Sequence, residues 1–109
     1  EILHEIDMLN RKAQWGYMLG DKEYWKDGYG TEAGFLMLDF AFSERGFNRI
    51  WAVVLEDNIG SLKMLEKCGF QVEGVLRQSI FKQGRFHSQV VLSLLQEEFY
   101  TMIKERGLE

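Results

Sequence analysis

A glycine pair stands just before the longest helical pattern of the sequence. The segment Trp25–Thr31 reads Trp-Lys-Asp-Gly-Tyr-Gly-Thr, so Gly28 and Gly30 precede that helix. Glycine permits a tight turn with positive φ and lets an anion approach backbone N–H groups that no Cβ covers. A helix N-terminus adds free N–H donors and the positive end of its dipole. The segment therefore predicts a phosphate-binding loop, although an ordinary helix-entry turn explains two glycines equally well.

The same glycines also fit a dinucleotide-binding fingerprint. Gly28–Ala33 matches G-x-G-x-x-A, and Glu56 ends the next predicted strand, where a ribose-binding acid is expected. In that fingerprint the first glycine follows its strand directly, whereas here the mostly polar segment Asp21–Asp27 intervenes. The spacing favours a different phosphate site and leaves a dinucleotide-binding unit as the less favoured alternative.

A second group of candidate residues opens the next helical pattern. Asn58-Ile59-Gly60-Ser61 begins this helix, and Gly69 ends it. Asn58 can cap the helix through its side chain, which is the structural interpretation of the motif. Ser61 carries a hydroxyl that can supply a proton, and both roles can coexist.

Imidazoles titrate near neutral pH, so His4 and His87 are candidate general bases. A lone histidine is more often structural than catalytic. Cys68 stands alone, and no cluster of His and Cys has metal-ligand spacing. We therefore predict no metal site.

Strands and helices alternate along the chain. The predicted elements are strands at 1–9 and 13–19 joined by a turn at 10–12, a helix at 31–45, a strand at 50–55, a helix after Asn58, strands at 70–81 and 86–95, and a C-terminal helix through Phe99, Met102 and Ile103. The strand–helix–strand order predicts a βαβ unit, and Gly84 marks a hairpin loop at 82–85. Gly16 indicates a bulge or a close backbone approach. The sum is a mixed sheet covered by helices, an α/β or α+β fold.

The helix at 31–45 is apolar on two sides. Thr31 is expected to cap it, and Gly46 to end it. One side carries Ala33, Leu36, Met37, Phe40 and Ala41, and the other carries Phe35, Leu38 and Phe42. This pattern predicts burial on two faces. The strand at 50–55 is continuously apolar, so we expect it to be covered on both faces as well.

Composition limits the class of protein. The 109 residues and 12.8 kDa suit a single domain over residues 1–109, and the hydrophobic fraction of 46% is enough for a core. A net charge of -4 gives no general basic surface, so we expect no nucleic-acid partner. The single cysteine suits the cytoplasm. No signal-peptide pattern or bilayer-length apolar run is present in the sequence, so we expect no membrane partner.

Taken together, the motifs resemble the GNAT superfamily of acyl-CoA N-acyltransferases. Trp25–Thr31 is similar to the family loop that binds the CoA pyrophosphate, and Asn58–Phe70 is similar to the helix that follows. Trp25 resembles the branch of ribosomal-protein N-terminal acetyltransferases. The resemblance extends over nearly the whole chain through further similar segments at 17–20, 46–50, 73–77 and 93–95.

The resemblance implies a mixed, largely antiparallel sheet flanked by helices, with acetyl-CoA as co-substrate and no metal. Pantetheine is expected beside Tyr17–Gly20, and a backbone N–H near Gly16–Met18 is expected to polarise the thioester carbonyl. The implied cofactor-binding residues are Met18, Leu19, Trp25, Lys26, Asp27, Gly28, Tyr29, Gly30, Thr31, Asn58 and Ser61.

The resemblance also implies catalytic roles. Ser61 is expected to protonate the leaving thiolate and Asn58 to orient the cofactor, because Leu65 occupies the position where many members have a tyrosine. Gln14 and Ser88 replace residues that are often Glu and Asp in relatives, so the resemblance assigns no general base.

A complete GNAT domain begins with a strand and two helices that shape the amine pocket, and the resemblance does not include them. We therefore expect the C-terminal portion of a longer domain, and a homo-oligomer formed at the sheet edge that the missing strand leaves exposed. The expected function is acetyl transfer to a primary amine: a protein N-terminus, a polyamine or a small metabolite. A non-catalytic CoA-binding or assembly module is the alternative.

Overall fold

The computed structural model describes residues 3–16 and 29–107, with side chains from residue 33 onward in the second stretch. The elements in chain order are β1 (Leu3–Asp7), β2 (Lys12–Trp15), α1 (Tyr29–Asp39) continued by a π-helical turn (Phe40–Glu44), β3 (Arg49–Leu55), α2 (Ile59–Lys67), β4 (Gln71–Lys82), β5 (Arg85–Leu95) and α3 (Gln96–Arg106). None of the helices in these ranges is long and apolar enough to span a bilayer.

The five strands form one mixed sheet in the order β1-β2-β3-β5-β4. β2 and β3 are parallel, with α1 as the crossover, and the other neighbouring pairs are antiparallel. The predicted βαβ unit and the largely antiparallel sheet are therefore confirmed. The connection through α2 leads to the edge strand β4, and the hairpin return places β5 between β3 and β4.

The first two predicted strands pair as expected. β1 and β2 are antiparallel, and the Asp7 carboxylate accepts the backbone N–H of Asn10 at 3.0 Å in the turn between them. The predicted strand at 13–19 corresponds to β2 as far as Trp15, and residues 17–19 lie outside the described part of the chain.

The long helix corrects two expectations. It already includes Tyr29, so Thr31 lies inside the first turn and is not the cap. Two of the apolar residues predicted to be buried are exposed instead, Leu36 at 71% and Phe40 at 45%. The prediction of burial on two faces is wrong, because a helix lying on one sheet buries one stripe of its surface, here Leu38, Ala41 and Phe42.

β3 alternates between buried and half-buried residues. Ile50, Ala52 and Val54 are buried, whereas the residues between them are half-buried. The prediction that both faces are fully covered is therefore wrong. The core on the covered face includes Ala13, Trp15, Leu38, Ala41, Phe42, Phe47, Ile50, Ala52, Val54, Met64, Leu65, Cys68, Phe70, Val90, Leu92, Leu94 and Phe99.

The C-terminal half matches the sequence pattern closely. β4 and β5 form a long hairpin whose turn needs only Gln83 and Gly84, because Lys82 and Arg85 already pair as strand residues. Both turn residues have positive φ, 54° and 78°, as a tight two-residue turn requires. α3 then packs Phe99 against Phe42, with ring centroids 5.3 Å apart.

Candidate functional site

The candidate site begins where the described pairing of β2 with β3 ends. Their pairing covers three Cα partners, from Lys12–Arg49 to Gln14–Trp51, but β3 continues to Leu55. The described part of β2 therefore leaves the far end of the β3 edge without a strand partner. Such an edge offers backbone donors and acceptors to an extended ligand.

The turn after β3 carries Asn58 to the start of α2. The backbone N–H of Asn58 donates to Leu55 O at 3.0 Å, and the Asn58 side-chain oxygen accepts the backbone N–H of Ser61 at 3.2 Å. This contact is the predicted helix cap, and it fixes both candidate residues at the end of the open strand edge. Asn58 is half-buried and Ser61 is fully buried. Their catalytic roles stay predictions.

α1 is held close to α2 by a glycine that sequence reasoning did not single out. A Cβ on Gly34 would lie 3.0 Å from Cys68 Sγ and 3.0 Å from the ring of Trp15. The two helices and the end of β2 therefore meet with no space for a side chain at this position. The hydrophobic spacing of α1 gives no signal for such a contact.

His4 lies over Gly16, where β2 ends. A Cβ on Gly16 would stand 2.2 Å from His4 Nε2, so the predicted close approach at this glycine is made by an imidazole. His4 is exposed and pairs in register with Gln14 on the neighbouring strand. The structure thus places this candidate base on the sheet face of Gln14, at the last described pair between β2 and β3.

The other histidine is buried under the β4–β5 hairpin. Nε2 of His87 is 2.9 Å from Lys82 O, and Nδ1 is 3.9 Å from the carboxylate of Asp57. Asp57 directly precedes the cap residue Asn58. His87 therefore contacts the turn that carries the candidate site, a relation that sequence spacing could not reveal.

The sequence pattern did not reveal a charged network on the less covered face of the sheet. The Arg49 guanidinium donates two hydrogen bonds to the Glu73 carboxylate, one of them at 2.9 Å, and Ser93 Oγ donates a third. These bonds, first from Arg49 and then from Ser93, lower the pKa of Glu73 to about 2, and the same pairing raises the pKa of Arg49. The network joins β3, β4 and β5 and is structural.

Cys68 is a buried free thiol. Burial raises its pKa to about 12, so the thiolate that a nucleophile requires is not formed near neutral pH. Within the described ranges, no three His, Cys, Asp or Glu side chains are grouped as metal ligands.

A groove of about 860 Å³ runs along the hairpin beside the turn after β3. Its lining residues are Val75, Leu76, Arg77, Gln78 and Ser88. Ser88 O accepts the backbone N–H of Glu56 at 3.0 Å, which places the groove next to the residues that lead into Asn58.

Apart from Asn58 and Ser61, the expected cofactor-binding residues fall into two groups, one outside the described residues and one at the start of α1. Met18, Leu19, Trp25, Lys26, Asp27 and Gly28 lie outside the described residues. Tyr29, Gly30 and Thr31 are helical, so the loop expected over 25–31 ends earlier and its last three residues form the first turn of α1. Free N–H groups of a first turn remain compatible with anion binding.

Comparison with known proteins identifies the family. Residues 2–71 match the model of the acetyltransferase (GNAT) domain. An uncharacterized N-acetyltransferase, YoaA of Bacillus subtilis, is 37% identical over 92 residues, which cover 84% of this chain and 51% of that protein. The putative ribosomal N-acetyltransferase YdaF of the same species is 35% identical, covering 89% and 52%. The spermidine N(1)-acetyltransferase of Escherichia coli is 26% identical, covering 96% and 56%.

A solved structure shows the same fold. The spermidine/spermine N-acetyltransferase SpeG from Vibrio cholerae superposes with a TM-score of 0.80 at 24% identity, covering 92% of this chain and 58% of that one. The chain thus spans about half the length of the curated relatives it matches. The match of residues 2–71 to the family model shows that the chain belongs to the GNAT family of acetyltransferase domains.

Proposed function

We propose that this domain takes part in acetyl transfer from acetyl-CoA to a primary amine. The observation that carries the proposal is the capped start of α2 just after β3, beyond the point where the described pairing of β2 with β3 ends. An extended thioester cofactor can lie along a strand edge, and among the described residues no strand pairs with this edge of β3 beyond Trp51. Family membership supports the same assignment.

The cofactor is proposed to bind chiefly through backbone groups. Pyrophosphate would be held at 25–31 by the amides that lead into α1, and pantetheine would lie along the chain near Met18 and Leu19. Amides and a helix dipole attract an anion without a basic surface, which agrees with the net charge of -4. Lys26 would add a positive charge next to the phosphates.

The chemistry required of the protein is modest. The amine nitrogen loses a proton to a base or to water and forms a bond to the acyl carbon, and the carbon–sulfur bond breaks. The departing CoA thiolate is then protonated, for which Ser61 is the proposed donor. Asn58 would orient the cofactor from the helix cap. Ser61 is fully buried. Its hydroxyl would therefore donate the proton to the sulfur directly and not through a bridging water molecule.

The amine is proposed to be a protein N-terminus, a polyamine or a small metabolite. The names of two relatives, a putative ribosomal N-acetyltransferase and a spermidine acetyltransferase, fall in the first two of these classes. We also propose that the chain associates with itself at the sheet edge formed by β1. The free thiol of Cys68 suits a cytoplasmic location, which is part of the same proposal. Light scattering of the purified chain measures the association directly.

The test is thiol release from acetyl-CoA on addition of an amine panel: a peptide with a free N-terminus, spermidine and a small primary amine. Buried Cys68 does not react with a thiol reagent in the folded protein, so the signal reports CoA alone. Release that depends on both protein and amine supports the proposal. No release with any amine contradicts it.

A non-catalytic CoA-binding module is the second candidate, because the chain spans only about half of each relative. Thermal unfolding with CoA, acetyl-CoA and NAD separates the candidates, since a ligand that binds only the native state raises Tm. A rise with acetyl-CoA without thiol release favours the module. A rise with NAD alone favours the dinucleotide-binding alternative.

A further inference from the structure

The imidazole of His87 bridges two parts of the structure that are distant in sequence. It lies on β5, buried beneath the end of the hairpin, with Nε2 2.9 Å from the carbonyl oxygen of Lys82. Its other nitrogen faces the Asp57 carboxylate at 3.9 Å. One ring thus contacts both the hairpin and the turn that follows β3.

The chemistry of the two partners assigns the two ring nitrogens. A carbonyl oxygen only accepts, so Nε2 carries a proton and donates it to Lys82 O. Nδ1 faces the Asp57 carboxylate at 3.9 Å, beyond hydrogen-bond distance.

Arg85 contacts the same carboxylate from β5, with its guanidinium 3.7 Å from Asp57 Oδ2. Arg85 and Asp57 are both largely exposed, at 68% and 57% of their side chains, so solvent screens their attraction, whereas the His87 side chain is only 5% exposed. In the described residues, the His87 ring faces two polar groups, the carboxylate of Asp57 and the carbonyl of Lys82. Arg85 contacts the carboxylate of Asp57.

The turn held in this way leads directly into the candidate site. Glu56 N donates to Ser88 O at 3.0 Å, and Asn58 N donates to Leu55 O at 3.0 Å. Asp57 lies between these two bonds, and its backbone oxygen accepts the N–H of Ile59 at 3.0 Å. Its side-chain contacts with His87 and Arg85 add to these restraints on the turn that leads to Asn58 and Ser61.

We propose that His87 is a positioning residue: through Asp57 it fixes the turn that places Asn58 and Ser61 at the end of β3. This inference deepens the proposed function, and the effect of His87 on catalysis rests on that function. The structural part of the proposal, a coupling between the hairpin and the α2 cap, does not depend on the proposed function.

Two substitutions separate the two ring contacts. His87→Gln places an amide N–H near the position of Nε2 and retains the bond to Lys82 O, but it loses the contact with Asp57. His87→Asn places an amide near the position of Nδ1 and keeps a polar group facing Asp57, but it loses the bond to Lys82 O. Asp57→Asn removes the charge of the carboxylate itself, and Arg85→Gln is the exposed control.

The first readout is the backbone amide spectrum of the ¹⁵N-labelled protein. We expect His87→Gln and Asp57→Asn to shift the amide signals of Asn58 and Ser61 in the same direction, and His87→Asn and Arg85→Gln to shift them less. Unchanged signals in His87→Gln, or equal shifts in Arg85→Gln, would overturn the proposal. This readout needs no activity, so it decides the inference even if the proposed function fails.

The second readout is steady-state kinetics with acetyl-CoA. We expect His87→Gln and Asp57→Asn each to raise KM for acetyl-CoA roughly fivefold or more with a smaller change in kcat, because the cofactor-orienting residue is displaced. The double variant should resemble either single one, since both remove the same contact. Additive effects, or a loss of Tm with KM unchanged, would contradict a positioning role.

Discussion

The helix-covered body and the β4–β5 hairpin are stabilised by different means. In the body, α1, α2 and α3 bury large apolar side chains such as Phe42, Leu65 and Phe99 against one sheet face. The hairpin leaves Phe81 and Phe86 mostly exposed, and its end is ordered by a tight turn, bulges and polar contacts. The comparison teaches that apolar burial determines stability in the body, whereas specific polar contacts determine geometry next to the site.

The largest difference in unfolding free energy is expected between two phenylalanine-to-alanine substitutions, one in the body and one in the hairpin. Phe99→Ala removes a ring that is 1% exposed and should cost about 3–5 kcal/mol of unfolding free energy through the cavity left behind. Phe81→Ala removes a ring that is 64% exposed and should cost less than about 1 kcal/mol. Urea denaturation measures both. Equal losses would remove the distinction between body and hairpin.

A second comparison uses two glycines. In Gly34→Val the added side chain meets Cys68 and Trp15, where even a Cβ would be only 3.0 Å away, so overpacking should cost about 1–3 kcal/mol. Gly74 on β4 has open space around it, and Gly74→Val should be nearly neutral. Thermal unfolding of the two variants tests this difference. It is contradicted if Gly34→Val is as stable as the unmodified chain.

The polar network of Glu73 predicts a dependence on pH. The pKa of Glu73 is lowered from 4.5 to about 2 in the folded protein, so its contribution is fully present above pH 4.5 and is lost as the pH falls toward 2. Because 39% of this side chain is exposed, solvent screening limits the contribution to about 1 kcal/mol. Glu73→Gln should therefore reduce the loss of stability between pH 4.5 and 2, measured by denaturation at each pH.

Glu66→Gln, on the exposed side of α2, is the charge-matched control for that experiment. It should retain the acid-induced loss that Glu73→Gln diminishes. The same pH profile for the two variants would show that the Arg49–Glu73 pair does not contribute as described.

The smallest expected effect is in the hairpin turn. Gln83 has a φ of 54°, a conformation that asparagine adopts more easily than glutamine. Gln83→Asn should stabilise the protein by about 0.5 kcal/mol, read as a small rise in Tm. Gly84→Ala, at a φ of 78°, should lower Tm and serves as the opposite control. A destabilising Gln83→Asn would contradict the assigned turn geometry.

Features encoded over a few residues could be predicted from the sequence. The Asn58 cap is set by a side chain reaching an amide three residues on, and the hairpin turn is set by the conformational needs of Gly84. The left-handed φ of 96° at Gly69 ends α2 where the glycine predicts it. Local stereochemistry is enough for each of these features.

Features that depend on the partner element could not be predicted. Leu36 and Leu38 are the same residue type in one helix, yet the first is exposed and the second is buried, because the sheet contacts only one stripe of α1. The insertion of β5 between β3 and β4, which brings Ser93 to Glu73, follows from topology rather than spacing.

The candidate site shows the same division. The resemblance supplied Asn58 and Ser61, and the structure places them together at the start of α2. The contact between His87 and Asp57 joins residues thirty positions apart on different elements, so no local pattern encodes it. Gly16 was recognised as a close approach, but its partner His4 was identified only by the fold.

The most direct test of the account is calorimetric titration of acetyl-CoA into the purified chain and into Gly28→Val and Gly30→Val. We expect saturable binding to the unmodified chain and at least tenfold weaker binding to both variants, because a side chain would cover the amides that are proposed to hold the pyrophosphate. Gly74→Val, in open space on β4, should bind as the unmodified chain does. Absence of binding to the unmodified chain, or equal affinity in all four proteins, would contradict it.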